Sequence, residues 1–145
     1  MEIYTIGFTQ KSARQFFDLL KANGIRRVID IRLSNSGQLA GFTKSADLAY
    51  FLGEICDAEY VHEPQLAPTK ELLSNYRNDR CSWTDYEHIF NALLAERSIA
   101  TALSPTLFDI PAVMLCSEPA AEQCHRRLVA EYLQRHWDDV TIHHL

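Results

Sequence analysis

The sequence predicts an α/β fold of three layers, with a mainly parallel sheet of about five strands covered by helices on both faces. Short β-branched and aromatic runs alternate with amphipathic helical stretches, as βαβ units require. One run, "PAVMLC" (111–116), is continuously apolar, as a strand buried on both faces must be. No repeat, low-complexity tract or linker-like composition interrupts the 145 residues. Residues 1–145 therefore read as a single domain, long enough to bury about two-thirds of its unfolded surface.

The elements follow in order. "EIYTIGF" (Glu2–Phe8) is a first strand. "SARQFFDLLKANG" is a helix with Phe16, Leu19 and Leu20 on one face and Gly24 at its end. "IRRVIDIRL" (Ile25–Leu33) is the second strand. Lys44–Cys56 is a helix whose Leu48, Phe51, Leu52 and Ile55 repeat at helical spacing. "AEYVHEP" (Ala58–Pro64) is a third strand, stopped by its proline. Thr69–Arg97 is helical with a break at Asn78–Trp83, and Trp83, Tyr86 and Phe90 form a core stripe or, as the second reading, a base-stacking platform. After the apolar strand, Pro119–His136 reads as the last long helix, with proline in its first turn. "DVTIHHL" (Asp139–Leu145) closes the sheet. This pattern is Rossmann-like, and its core should hold Ile6, Val28, Ile29, Val61, Val113, Leu115 and Leu128.

A net charge of −5 argues against broad binding of duplex nucleic acid. The opening "MEIYTIGF" puts an acidic residue where a secretory signal needs a basic one. No apolar run nears the roughly 20 residues of a membrane-crossing helix. The expectation is a cytoplasmic protein without membrane contact, its Cys56, Cys81, Cys116 and Cys124 reduced. There is no C-x-x-C pair, glycine-rich dinucleotide motif or phosphate-binding loop, so no cofactor is expected.

In a parallel sheet, ligands gather beyond the carboxyl ends of the strands. The residues there are Gly7, Phe8 and Thr9; Asp30 and Arg32; His62, Glu63 and Pro64; and Cys116, Ser117 and Glu118. Thiol, imidazole, carboxylate and guanidinium groups thus recur at one end of the molecule.

Several stretches in this order, "YTIGFT", "VIDIR", "GFTK", "YVHEPQLA" and "LCSEPAAEQCHRRLVAEYL", resemble the family known as domain of unknown function 488. The most specific element is a cysteine, seven residues, then Cys-His-Arg: Cys116, then Cys124, His125 and Arg126. The resemblance implies an α/β fold and a site around that motif, without a reaction. Two departures stand out. Phe8 replaces a histidine usual in the family's first strand, and "LSNSGQLAG" after Arg32 lacks the basic, proline-containing character of relatives.

Cys116 ends a strand just before a helix, where the helix dipole and free amides favour a thiolate. A nucleophilic role competes with plain packing, the common fate of cysteine. With Cys124 placed inside the helix, Cys124, Leu128 and Tyr132 share a buried stripe and His125 points about 100° away. Adjacent helical residues then do not converge on one ion, so no metal is expected. Asp30 and Arg32 share a strand face, and Asp30 is expected to pair with Arg32 or Arg126. His62 is a candidate acid–base group or an ordinary loop histidine.

Three functions follow. The first is a small enzyme with catalytic Cys116, His62 and Asp30. Gly7, Thr9, Arg32, Ser117, Cys124, His125 and Arg126 would form its pocket for an anionic small molecule. A variant is sulfur transfer at Cys116, since the strand–cysteine–loop–helix outline is similar to rhodanese-like proteins. The second is a non-catalytic module binding a nucleotide or nucleic acid through Arg26, Arg27, Arg32, Arg126 and Arg127. The third is an interaction subunit whose thiols only pack. The oligomeric state is not specified by the sequence.

Overall fold

The computed structural model describes residues 1–36 and 40–145. Part of the stretch after Arg32 that departs from the family pattern, positions 37–39, lies outside them. The five strands are β1 (Glu2–Gly7), β2 (Arg27–Asp30), β3 (Glu59–His62), β4 (Ala112–Cys116) and β5 (Thr141–His144). They form one sheet in the order β3-β2-β4-β1-β5, and every pairing is parallel. Pairing runs in register, with Gly7 opposite Cys116, Asp30 opposite Leu115 and Asp30 opposite His62.

Two apolar layers sandwich the sheet. On one face α1 (Ala13–Ala22) and α2 (Ser45–Phe51) bury Phe16, Phe17, Leu20 and Leu48 against Ile6, Val28, Val113 and Leu115. On the other face lie α3 (Lys70–Arg77), α4 (Trp83–Glu96), α5 (Ile99–Ala102) and α6 (His125–His136). These cover Ile3, Ile29, Met114 and Cys116 with Leu72, Phe90, Ile99, Leu128 and Val129. Each such aliphatic or aromatic side chain taken fully from water stabilises the fold by about 1.5–3 kcal/mol. Of the predicted core, six residues are buried, and Val61 is half-buried because β3 is an edge strand.

Local chemistry explains the element ends. Ser12 caps α1 in a reciprocal box with Gln15, and Gly24 follows the helix at φ +63°, a conformation free of strain only for glycine. The predicted helix 44–56 begins as α2 but ends in a π-helical turn, Leu52–Cys56, closed by left-handed Asp57. Ser82 restarts the chain as α4 by accepting from the Asp85 amide. The second strand is shorter than predicted, because past Asp30 the chain turns into loop.

One correction bears on the site. The last helix starts at His125, not at Pro119, and Cys124 is its N-cap residue. Residues 117–124 form a turn-rich loop instead. The helical pattern of the sequence extends back through it because Ala120, Ala121 and Glu122 are good helix formers. Propensity loses here to tertiary contacts: Arg126 donates to the carbonyls of Glu118 and Pro119 and holds the loop away from helical geometry.

Candidate functional site

The helices after β2 and β4 leave on opposite faces of the sheet. The two loops therefore diverge and leave a crevice beyond their carboxyl ends, the position where parallel sheets take ligands. A cavity of about 570 Å³ lies there. Arg32 and Leu33 border it from β2, and Cys116, Ser117 and Glu118 from β4. Cys124 and His125 enter from the start of α6, and Tyr76, Arg77, Trp83 and Tyr86 from α3 and α4.

At its floor, Sγ of Cys116 lies 3.6 Å from Nδ1 of His125. On the opposite edge of the ring, Nε2 lies 2.9 Å from the carbonyl of Ile31. A carbonyl only accepts, so Nε2 carries a proton and Nδ1 faces the sulfur. The helix start makes this contact: with His125 as the first residue of α6, its side chain projects back toward the end of β4. Phe90 supports the ring edge-on, with centroids 5.7 Å apart.

Burial by itself would push the Cys116 thiol up. It is outweighed by hydrogen bonding from Cys124, by the His125 charge and by the Glu118 amide, which together hold Cys116 well below the ordinary thiol range. Burial and the neighbouring Cys116 push the Cys124 thiol up. For His125, burial opposes the charge, but the Cys116 sulfur outweighs it and raises the imidazole. Cys116 and His125 thus each favour the charged form of the other, while Cys124 beside them is shifted toward the neutral thiol.

The donor atoms of Cys116, Cys124 and His125 lie within 4.8 Å of one another. The expectation that Cys124 and His125 diverge rested on both being inside a helix. With Cys124 in the extended N-cap conformation, they converge.

Asp30 and Arg32 build the other wall. Nε and Nη2 of Arg32 donate to the two carboxylate oxygens of Asp30 at 2.8 and 2.7 Å. Nη2 also donates to the Thr43 carbonyl at 2.6 Å, and the Tyr60 hydroxyl donates to Asp30 at 2.6 Å. The carboxylate is fully buried and the guanidinium nearly so, and the latter stacks over Phe8 at 5.3 Å. Phe8 therefore serves as an aromatic face for Arg32. Of the two partners expected for Asp30, Arg32 is the one found. Asp30 and His62 do not border the cavity: Asp30 lies beneath Arg32, and Nε2 of His62 donates to the Arg32 carbonyl at 3.1 Å.

Gly7, Thr9 and Arg126 sit behind the loop rather than in the cavity. The Thr9 amide donates to the Ser117 carbonyl at 3.1 Å, continuing the β1–β4 ladder, and its hydroxyl donates there too. Arg126 is buried, with its Nε unpartnered. A side chain at Gly7 would collide with the Glu118 carbonyl and come within 2.7 Å of Arg126. Arg126 was expected about two turns inside the helix. It lies in the first turn, close to the loop whose carbonyls it holds.

The family model described as domain of unknown function DUF488 matches residues 12–133. The chain belongs to this family. Neither a curated protein nor a solved structure matches it. In this DUF488 chain the Cys-x7-Cys-His-Arg motif divides its labour: both cysteines and the histidine meet at the cavity floor, while the arginine fixes the loop between them. No helix among the described residues is long and apolar enough to cross a membrane.

The aromatic wall is core only in part. Tyr86 and Phe90 are buried, but Trp83 is only partly so and stacks on Tyr86 with centroids 5.1 Å apart. Tyr76 lies 5.1 Å from Tyr86 and closes the corner. The signal available in the sequence was an aromatic residue on each side of the helix break. Tyr60, which holds Asp30, carried no signal beyond its place in β3.

Proposed function

We propose that this chain is a cytoplasmic enzyme acting on an anionic small molecule, with Sγ of Cys116 as its attacking atom. The observation that carries the reading is the 3.6 Å contact from Cys116 to an imidazole anchored through its other nitrogen. A thiolate is the reactive form of cysteine, and a fixed imidazolium both stabilises it and can return a proton to a leaving group. With Arg32 neutralised by Asp30, Lys70 and Arg77 outnumber Glu118 on the cavity border and favour a negatively charged guest. Asp30 acts as a positioning residue, fixing Arg32, and His62 steadies the same turn through the Arg32 carbonyl.

Brief labelling of the folded protein with iodoacetamide near neutral pH, followed by peptide mapping, tests this. Cys116 should be modified ahead of the more exposed Cys56 and Cys81, and inorganic phosphate in excess should slow it. A Cys116 that stays unmodified while Cys56 and Cys81 react removes the reading.

The stacked Trp83 and Tyr86 support a second reading, a nucleotide whose base lies against this wall. A wider nucleic-acid surface has less support. Arg26 pairs with Asp57 and Arg27 with Glu59 at the start of β2, the opposite end from Arg32. Arg127 pairs with Glu87 and Glu131.

A further inference from the structure

We infer that Cys124 is a resolving thiol, and that the cavity reduces hydroperoxides through a Cys116–Cys124 disulfide. This rests on the reading of Cys116 as the attacking atom and adds a role for a residue that the reading leaves idle. The two sulfurs lie within 4.8 Å of one another and face the same cavity. Both residues are 2% exposed, so only a small molecule that enters the cavity, a peroxide or a small dithiol, reaches the floor. A disulfide needs the sulfurs at about 2.05 Å. The required approach is short, and Cys124 can supply it. It is the extended N-cap residue at the end of loop 117–124, outside the hydrogen-bonded body of α6.

The chemistry balances in two steps. The Cys116 thiolate attacks the distal oxygen of a hydroperoxide. The O–O bond breaks, an S–O bond forms, and the departing alkoxide takes a proton from the His125 imidazolium to leave as an alcohol, or as water from hydrogen peroxide. Cys116 is then a sulfenic acid. The sulfur of Cys124, giving its proton back to His125, attacks Cys116 and expels hydroxide, which leaves as water. The peroxide has been reduced by two electrons and the two thiols oxidised to a disulfide. A dithiol reductant restores them by exchange.

The test treats reduced, full-length protein with one equivalent of hydrogen peroxide, then alkylates and digests it with trypsin. Both thiols fall on the Ser98–Arg126 peptide. That peptide should lose two hydrogens and become refractory to alkylation until a dithiol is added. Cys124→Ser should stop at the sulfenic acid, captured by dimedone at Cys116, and lose turnover of peroxide with dithiothreitol. Cys116→Ser should abolish both signals. A Cys116 that is alkylated rapidly but yields no disulfide overturns the inference and leaves the nucleophile reading standing. A Cys116 inert to both reagents overturns both. Stoichiometric zinc in protein purified without chelator, lost in the Cys116→Ser, Cys124→Ser double variant, overturns the inference as well, since the sulfurs would then be ligands.

Discussion

Cys116 and His125 face each other across 3.6 Å, with the imidazole tethered behind by the Ile31 carbonyl. Burial resists charge on both, yet each stabilises the charged form of the other, so Cys116 is shifted down and His125 up. Alkylation of Cys116 should therefore reach its plateau well below the pH near 8.5 at which a free thiol ionises. His125→Ala should move the profile upward and slow labelling at neutral pH. A wild-type profile rising only above that pH contradicts the pair.

Gly7→Ala should destabilise the protein by about 3 kcal/mol, the upper end of forced overpacking. Its new methyl meets backbone at Glu118, which cannot rotate aside as a side chain would. Thermal melts measure the loss. A Gly7→Ala protein that melts like the parent shows that the loop can move freely.

Asp30→Asn should cost about 3–5 kcal/mol, because it leaves the buried Arg32 charge uncompensated. Joint replacement, Asp30→Leu with Arg32→Met, should cost far less than the sum of the single changes, as in other buried pairs. Denaturant titration of the four proteins yields the coupling. Additive losses contradict it.

Arg126→Gln should lower stability by about 1–3 kcal/mol by orphaning the Glu118 and Pro119 carbonyls. Its effect on the pH profile of Cys116 should be minor, since Arg126 meets the loop from behind and does not border the cavity. A large upward shift of that profile would place the guanidinium in the thiol's electrostatics instead.

Tyr60 offers an alkaline test. Burial and the hydrogen bond to Asp30 push its hydroxyl from 10.0 to about 12. Between those values the folded protein keeps a proton that the unfolded chain has released. Stability should then fall as pH rises through that window. Tyr60→Phe should flatten this part of the decline in melting temperature, and an unchanged slope counts against the shift.

The fold was legible because its signals are additive along the chain: alternating strand and helix patterns, an apolar β4, and caps such as Ser12 and Gly24. The residues gathered at the strand ends were legible by the same logic, since topology alone brings the ends of β1, β2 and β4 together. The start of α6 was not. Whether Pro119–Gln123 coils into helix depends on Arg126 reaching back to two carbonyls and on a missing side chain at Gly7, neither visible to a local pattern. That one boundary decides whether Cys124 and His125 diverge or meet. The division of the arginines was hidden for a similar reason. Arg32 and Arg126 look equivalent in sequence, but one borders the cavity and the other lies behind the loop.

The placement of the two tryptophans has an optical consequence. Trp83 borders the cavity and lies flat on Tyr86. Trp137 packs edge-on against Phe108 and donates its indole N–H to Ala100 at 2.9 Å, on the far side of the second core layer. A guest entering the cavity changes the solvent and the quenching groups around one indole and leaves the other untouched. In Trp137→Phe protein the emission belongs to Trp83 alone. The molecule then carries a built-in fluorophore for titrating candidate substrates, with no label on the thiols that the chemistry needs.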